Sequence, residues 1–202
     1  MPGHKASEAE RQEQILRAAH EVALRRGIDG LTVRAVAARA RLSHGLVLFH
    51  FKRKEQLGLA LLDRVLATTL LLTVPDDIGA IRNPRERLQA LFRHELHRLS
   101  DEPRRIRLLL EYWARGAHNA VIRGKIGAGL ESYRTAFRET AEKALRNEPG
   151  RLGKGTAAAL AATAVSLILG FPVQAMIDPD HLAVAEYLAA VDGILGHLPR
   201  AA

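Results

Sequence analysis

Apolar residues recur at a helical period along almost the whole chain. Between Glu8 and Arg26 the positions Ile15, Ala18, Ala19, Val22 and Ala23 form one stripe with polar residues around it, as an amphipathic helix requires. Glu8, Glu10 and Glu13 lie at its start and Arg25 and Arg26 at its end, matching the helix dipole. Gly27 reads as its C-cap, and Asp29-Gly30 as a turn. Two short periods follow. In the first, Thr32 is the N-cap and Val33, Val36, Ala37 and Ala40 share a face. After a turn at Arg41-Leu42, Ser43 caps a second helix from about His44 to His50, with Val47 and Phe51 turned inward. A fourth pattern, Lys54 to Leu72, repeats Leu57, Leu61, Leu62, Val65, Leu66 and Thr69.

Beyond it, Pro75-Asp76-Asp77 and Asn83-Pro84 break the period and predict a loop over 74–83. Helices are predicted over 84–100, 104–117 and 119–147, with Pro84 and Pro103 in first turns that tolerate proline. Glu148 to Gly155 reads as a flexible connector, and residues 1–7 as disordered. Two final helices, about 156–176 and 180–197, are small and aliphatic nearly all round, which implies burial on more than one side. Pro172 should kink the first of them. No β pattern and no internal repeat occurs, so the fold class is all-α.

The pair over 32–57 is a helix, a tight turn and a second helix with solvent-facing positions. That is the helix-turn-helix unit, whose second helix enters the DNA major groove. Charge adds to this reading. The chain of 202 residues has a formal net charge of +8. Residues 1–54 hold 11 Lys and Arg against 5 Asp and Glu, a balance of +6, whereas residues 55–202 hold 19 against 17. The positive excess thus sits on the segment that carries the helix pair, as a footprint on a polyanion would. An arginine-rich composition alone does not produce that asymmetry. The chain has no cysteine, which excludes disulfides and thiolate metal sites and suits a reducing cytoplasm. The first eight residues lack the apolar run of a signal peptide. Thr156 to Met176 is apolar, but its alanines, Thr163, Ser166, Gly170, Pro172 and Gln174 favour a buried or interfacial helix, and no membrane partner is expected.

Gly45-Leu46-Val47-Leu48-Phe49-His50-Phe51-Lys52-Arg53-Lys54-Glu55-Gln56-Leu57 resembles the pattern Gly-x-Leu-Tyr-x-His-Phe-x-x-Lys-Glu-x-Leu of the tetracycline-repressor-like (TetR) regulators. Gly30-Leu31-Thr32-Val33-Arg34-Ala35-Val36-Ala37 is similar to the same family, so the resemblance covers roughly residues 11 to 57. It implies a helix-turn-helix DNA-binding domain at 8–54 and a helical ligand-binding and dimerisation domain at 55–202. It further implies a homodimer paired through its last long helices, a double-stranded DNA operator as partner and a small-molecule effector of unknown identity. The sequence departs from the family at Leu48, where a tyrosine hydroxyl usually binds phosphate, and Phe49 also lacks a hydroxyl. Backbone anchoring then falls to His50, Lys52 and Lys54. Glu111-Tyr112-Trp113-Ala114-Arg115-Gly116-Ala117-His118 resembles the middle of the body in the branch that includes the choline-responsive repressors, and transfers no ligand.

The candidate phosphate contacts are Thr32, Arg34, Ser43, His50, Lys52 and Lys54, and their binding should be salt-dependent. The candidate base readers are His44, Leu46 and Phe49, with Arg41 or Ser43 reaching from the turn. Leu46 can meet a thymine methyl, and Gly45 lets the helix approach the DNA closely. Against these stand simpler roles: Gly45 in helix packing, Phe49 in the core, Lys52 to Lys54 as a solvated turn. Phe92, Tyr112, Trp113, Tyr133, Phe137, Phe171 and Met176 are candidates to line an apolar effector cavity, although aromatics at helical spacing also serve as core.

His94-Glu95-Leu96-His97 lacks the His-Glu-x-x-His zinc spacing, and Gly150 to Gly155 lacks the Lys-Ser/Thr ending of a phosphate-binding loop. No metal, cofactor or catalytic residue is therefore assigned. The reading is a ligand-released repressor. Its rival is a helical small-molecule-binding protein or enzyme that has lost DNA binding, with Leu48 as the best support.

Overall fold

A computed structural model describes residues 7–70, 73–146, 156–180 and 183–196. The connector expected over 148–155 and the disorder expected for residues 1–6 lie outside the described residues. Ser7 does not belong with that tail. It caps α1 (Glu8–Arg26) through a capping box, its hydroxyl accepting from the Glu10 N–H while the Glu10 carboxylate accepts from the Ser7 N–H. That contact with the Ser7 backbone, and then its hydroxyl, holds Glu10 below the usual carboxylate range.

Further along the chain come α2 (Val33–Ala40), α3 (His44–Phe51), α4 (Lys54–Thr69), α5 (Asp76–Gly79), α6 (Pro84–Ser100), α7 (Pro103–Gly116), α8 (Ala120–Arg146), α9 (Ala157–Ile177) and α10 (Val184–Gly196). No strand occurs among the described residues. The loop expected over 74–83 contains a helical turn, α5, which begins directly after Pro75. Proline there starts a helix because its missing N–H is one that no first turn uses. The helix through Pro172 runs on to Ile177.

The chain falls into two compact units. The first takes the described residues up to Thr69 together with Arg107–Gly127, and the second takes Leu70–Ile106 together with the described residues from Ala128 onward. In the first unit α1 packs on α2 and α4. Its core holds Ile15, Ala19, Val36, Val47, Leu57 and Leu61, all fully buried. Alanines at 18, 19, 23, 37 and 40 let these short helices approach closely. In the second unit α6 packs on α9 and α10. Leu91, Phe92, Leu96, Tyr133, Phe137 and Ile168 fill its centre.

Candidate nucleic-acid interface

The turn between α2 and α3 is fixed by backbone geometry. Arg41 takes the left-handed conformation (φ 56°, ψ 43°) just past α2. Its N–H bonds the Ala38 carbonyl, and the Leu42 N–H bonds the Ala37 carbonyl at 2.9 Å. This is the Schellman closure, usually built on glycine. Gln14 of α1 donates to the Ala40 carbonyl at 2.9 Å, so a carbonyl left over at the α2 end finds a partner. Thr32 accepts from the Ala35 N–H at 3.1 Å and Ser43 from the Leu46 N–H at 3.2 Å, so both expected N-caps form. Each hydroxyl keeps its own hydrogen to donate outward.

Val47 and Phe51 turn into the core, as expected. Phe49 does not: it is 73% exposed, so the core role considered for it is excluded. A Cβ at Gly45 would meet nothing within 4 Å, so its bare backbone is not needed for packing in this chain. Thr32, Arg34, Arg41, Ser43 and His44 are exposed, while Leu46 and His50 are half-buried. His50 packs edge-on against Phe49 at 5.2 Å, and its Nδ1 is buried without a hydrogen-bond partner. After α3 the chain reverses at Lys52 (φ 43°, ψ −44°), where the Arg53 N–H bonds back to the Phe51 carbonyl. The reversal displays Lys52, Arg53 and Lys54 as exposed neighbours. Arg53, absent from the candidates named above, belongs to this cluster by its exposure. The basic composition of the turn was its available signal.

One face of α7 completes the first unit. Glu111 Oε2 accepts the Ile28 N–H at 2.6 Å, next to Gly27, whose φ of 70° is left-handed. Arg107 donates to the Leu24 carbonyl at 2.9 Å, Tyr112 to the Gly58 carbonyl at 2.7 Å, and Arg115 pairs with Asp29 at 2.5 Å. Helical spacing cannot show such partners, because they lie more than 50 positions away. A groove of about 540 Å³ lies beside them, lined by Asp29, Glu111, Ala114, Arg115, His118, Asn119 and Ile122.

The seven cavity candidates divide between the two units. Tyr112 and Trp113 belong to the first, and Phe92, Tyr133, Phe137, Phe171 and Met176 to the second. Tyr112 is 2% exposed and bonded, and burial pushes its hydroxyl well above the ordinary tyrosine value. Trp113 is half-buried and its Nε1 lacks a hydrogen-bond partner. Phe92, Tyr133 and Phe137 are core side chains, the last two edge-on at 5.5 Å. Phe171 packs against Tyr187 with the rings tilted and their centroids 4.7 Å apart, while Met176 is half-buried.

Glu95 is fully buried and accepts from Arg98 (2.6 and 2.9 Å) and from the Tyr133 hydroxyl at 2.9 Å. Burial, and next the Glu95 charge, drive Tyr133 far above the ordinary tyrosine range. His94 Nε2 is 3.8 Å from Glu95, while no group of three or more potential ligands suited to a metal occurs among the described residues.

The comparisons with known proteins agree with this architecture. The family model of bacterial regulatory proteins of the tetR family matches residues 15–61. The model of the C-terminal part of BetI-type transcriptional repressors matches residues 84–199. An uncharacterised HTH-type transcriptional regulator in the dhlA 5′ region of Xanthobacter autotrophicus is 30% identical over 185 residues, covering 89% of this chain and 87% of the relative. Among solved structures, a transcriptional regulator from Saccharomonospora viridis in complex with choline superposes with a TM-score of 0.77 at 19% identity, over 95% of this chain and 100% of that one. One from Pseudomonas aeruginosa PAO1 superposes with a TM-score of 0.72 at 21% identity, over 96% and 94%. These two likenesses speak to the fold. The two family matches and the Xanthobacter relative go further: the chain belongs to the tetR family of bacterial regulatory proteins and is a DNA-binding transcriptional regulator.

Proposed function

We propose that two copies of this chain act as a ligand-released repressor on a palindromic operator. Residues 8–54 bind DNA, and residues 55–202 bind the effector and hold the dimer together. Each copy lays the helix from His44 to His50 in a major groove, with half-sites about one helical turn or more apart. The observation that carries this reading is the exposed Lys52-Arg53-Lys54 cluster at the end of α3, within the segment matched by the family's N-terminal model. The exposed Ile177 (80%) and Ile194 (62%) on the last two helices favour a dimer, since α9 and α10 then cover apolar surface.

The effector acts by tilting α4 and so changing the spacing of the two DNA-binding heads. It does so only through unequal affinity for the two states. Choline, bound by the Saccharomonospora neighbour, is the first compound to titrate. Glu95, the buried acid among the described residues, is already paired with Arg98 and Tyr133, so a cationic effector must rely on other groups. The unpartnered Trp113 Nε1 favours an effector that brings an acceptor.

Operator titration of the full chain at several salt concentrations tests the reading. The expected result is sequence-specific binding with a steep salt slope. Lys54→Ala should weaken all duplexes alike, whereas His44→Ala should change which sequences are preferred. The absence of tyrosine hydroxyls at Leu48 and Phe49 favours the rival, a helical ligand-binding protein without operator affinity. That rival predicts no specific binding and no salt slope, and such a result overturns the proposal.

A further inference from the structure

The outward face of α3 carries almost nothing that can hydrogen-bond a base. Val47 and Phe51 face the core. At 3.6 residues per turn, the side directly opposite carries Phe49, flanked by Gly45 and Leu46. None of the three has a polar side chain. The polar residues of α3 are two histidines: exposed His44 at its start, and half-buried His50, about 100° round the helix from Phe49. Arg, Lys, Asn and Gln, which read guanine and adenine with two hydrogen bonds, are absent from α3.

The face is nevertheless built for contact. A phenylalanine that is 73% exposed leaves a large apolar surface in water. Exposed Lys52, Arg53 and Lys54 follow it directly, with Arg41 before the helix. An apolar centre bordered by cations suits a polyanion with an apolar landmark in its groove. In duplex DNA that landmark is the C5-methyl of thymine, which projects into the major groove.

We infer that α3 reads its operator mainly through thymine methyl groups, with Phe49 and Leu46 as the specificity-determining side chains. The inference rests on the proposed seating of α3 in the major groove. Hydrogen-bond readout is left to the N-terminal end of the helix, where exposed Arg41, Ser43 and His44 lie, and Gly45 lets the apolar face come close. Removing a contacted methyl, while leaving every base-pair hydrogen bond intact, removes the recognition.

The test uses the full chain and an operator selected from a random duplex pool. Thymines of the selected site are replaced by deoxyuridine, which lacks only the methyl. The expected loss is roughly fourfold for each contacted methyl, from about 0.8 kcal/mol per buried carbon. Phe49→Ala and Leu46→Ala should each bind more weakly and lose part of the thymine-over-uracil preference, whereas Lys54→Ala should keep it whole. Phe49 is exposed, so its replacement leaves the fold intact, and circular dichroism checks this. Specific binding that is indifferent to uracil overturns the inference while leaving the proposed function standing. A uracil effect unchanged in both Phe49→Ala and Leu46→Ala also overturns it, because the sensitivity then lies in the DNA. Failure to select any operator removes the proposed function itself.

Discussion

The two units differ in what their long-range and buried polar side chains bond to. In the first, polar side chains bond mainly to the main chain: Gln14 to Ala40, Thr32 to Ala35, Ser43 to Leu46, Arg107 to Leu24, Glu111 to Ile28 and Tyr112 to Gly58. In the second, Thr140 also donates to a main-chain carbonyl, that of Ala136, but the buried acid bonds side chains, with Glu95 receiving both Arg98 and Tyr133. Helix length explains the contacts at α2 and α3. α2 and α3 have eight residues each, so a large share of their backbone groups are unpaired ends. α6 and α9 have 17 and 21, and their interior backbone groups pair within the helix. The same contrast appears in backbone strain: Arg41 and Lys52, the non-glycine residues with positive φ among those described, both lie in the first unit.

The largest expected effect lies in the second unit. Glu95→Ala removes the carboxylate that accepts from Arg98, whose side chain is only 29% exposed, and from the buried Tyr133 hydroxyl. Breaking such a pair should cost about 3 kcal/mol, measured by urea denaturation. Adding Tyr133→Phe should make the second loss much smaller than Tyr133→Phe causes alone, because its partner is already gone. Additive losses would mean that the cluster is not one unit. The same tyrosine sets an alkaline limit. Its folded-state pKa is raised, so its contribution is complete below about pH 10. It is lost as pH rises above that value toward the folded pKa, because the unfolded chain releases the proton first. Tyr133→Phe should flatten the fall in stability between neutral pH and about pH 11.

In the first unit Gly27→Ala should cost about 2 kcal/mol, from a positive φ that alanine resists. An ideal Cβ there would also stand 2.9 Å from the Glu111 carboxylate. Glu111→Ala should cost less, about 1.5 kcal/mol, because it removes one hydrogen bond from the Ile28 N–H. Together the two should cost less than their sum, since the smaller side chain makes room for the new methyl. Strict additivity would show that Glu111 does not grip this corner of α1.

What the sequence made legible follows the same division. The α1 stripe, the Thr32 and Ser43 caps and the Gly27 terminus were readable because each acts on neighbours within one or two helical turns. The inward turn of Val47 and Phe51 was readable from periodicity. Phe49 was ambiguous, since an aromatic in an apolar octapeptide reads equally as core or as contact. Glu111 and Tyr112 were not readable in their roles, because periodicity carries no trace of a main-chain partner 83 or 54 positions away. Residue type and spacing leave Tyr133 and Phe137 open between pocket and core. Only their complete burial and edge-on contact assign them to the core. The α5 turn is not legible in the sequence, because Pro75 reads there as a breaker and not as a helix start.

The smallest expected effect tests why strain gathers beside α3. Lys52 adopts φ 43° and ψ −44°, a sparsely populated conformation that costs an L-residue at least about 1 kcal/mol. Lys52→Gly removes that cost, while the extra freedom of glycine in the unfolded chain takes back about 0.7 kcal/mol. The net expectation is a stabilisation of about 0.5 kcal/mol in chemical denaturation. Lys52→Ala keeps the strained φ and should bring no such gain. Both variants lose one exposed cation next to the outward face of α3, so each should lower the salt slope of operator binding by about one. Stability and DNA affinity would then move in opposite directions at a single residue. That outcome would tie the strained turn to the placement of positive charge. A glycine variant that gained stability and kept its full salt slope would separate the two.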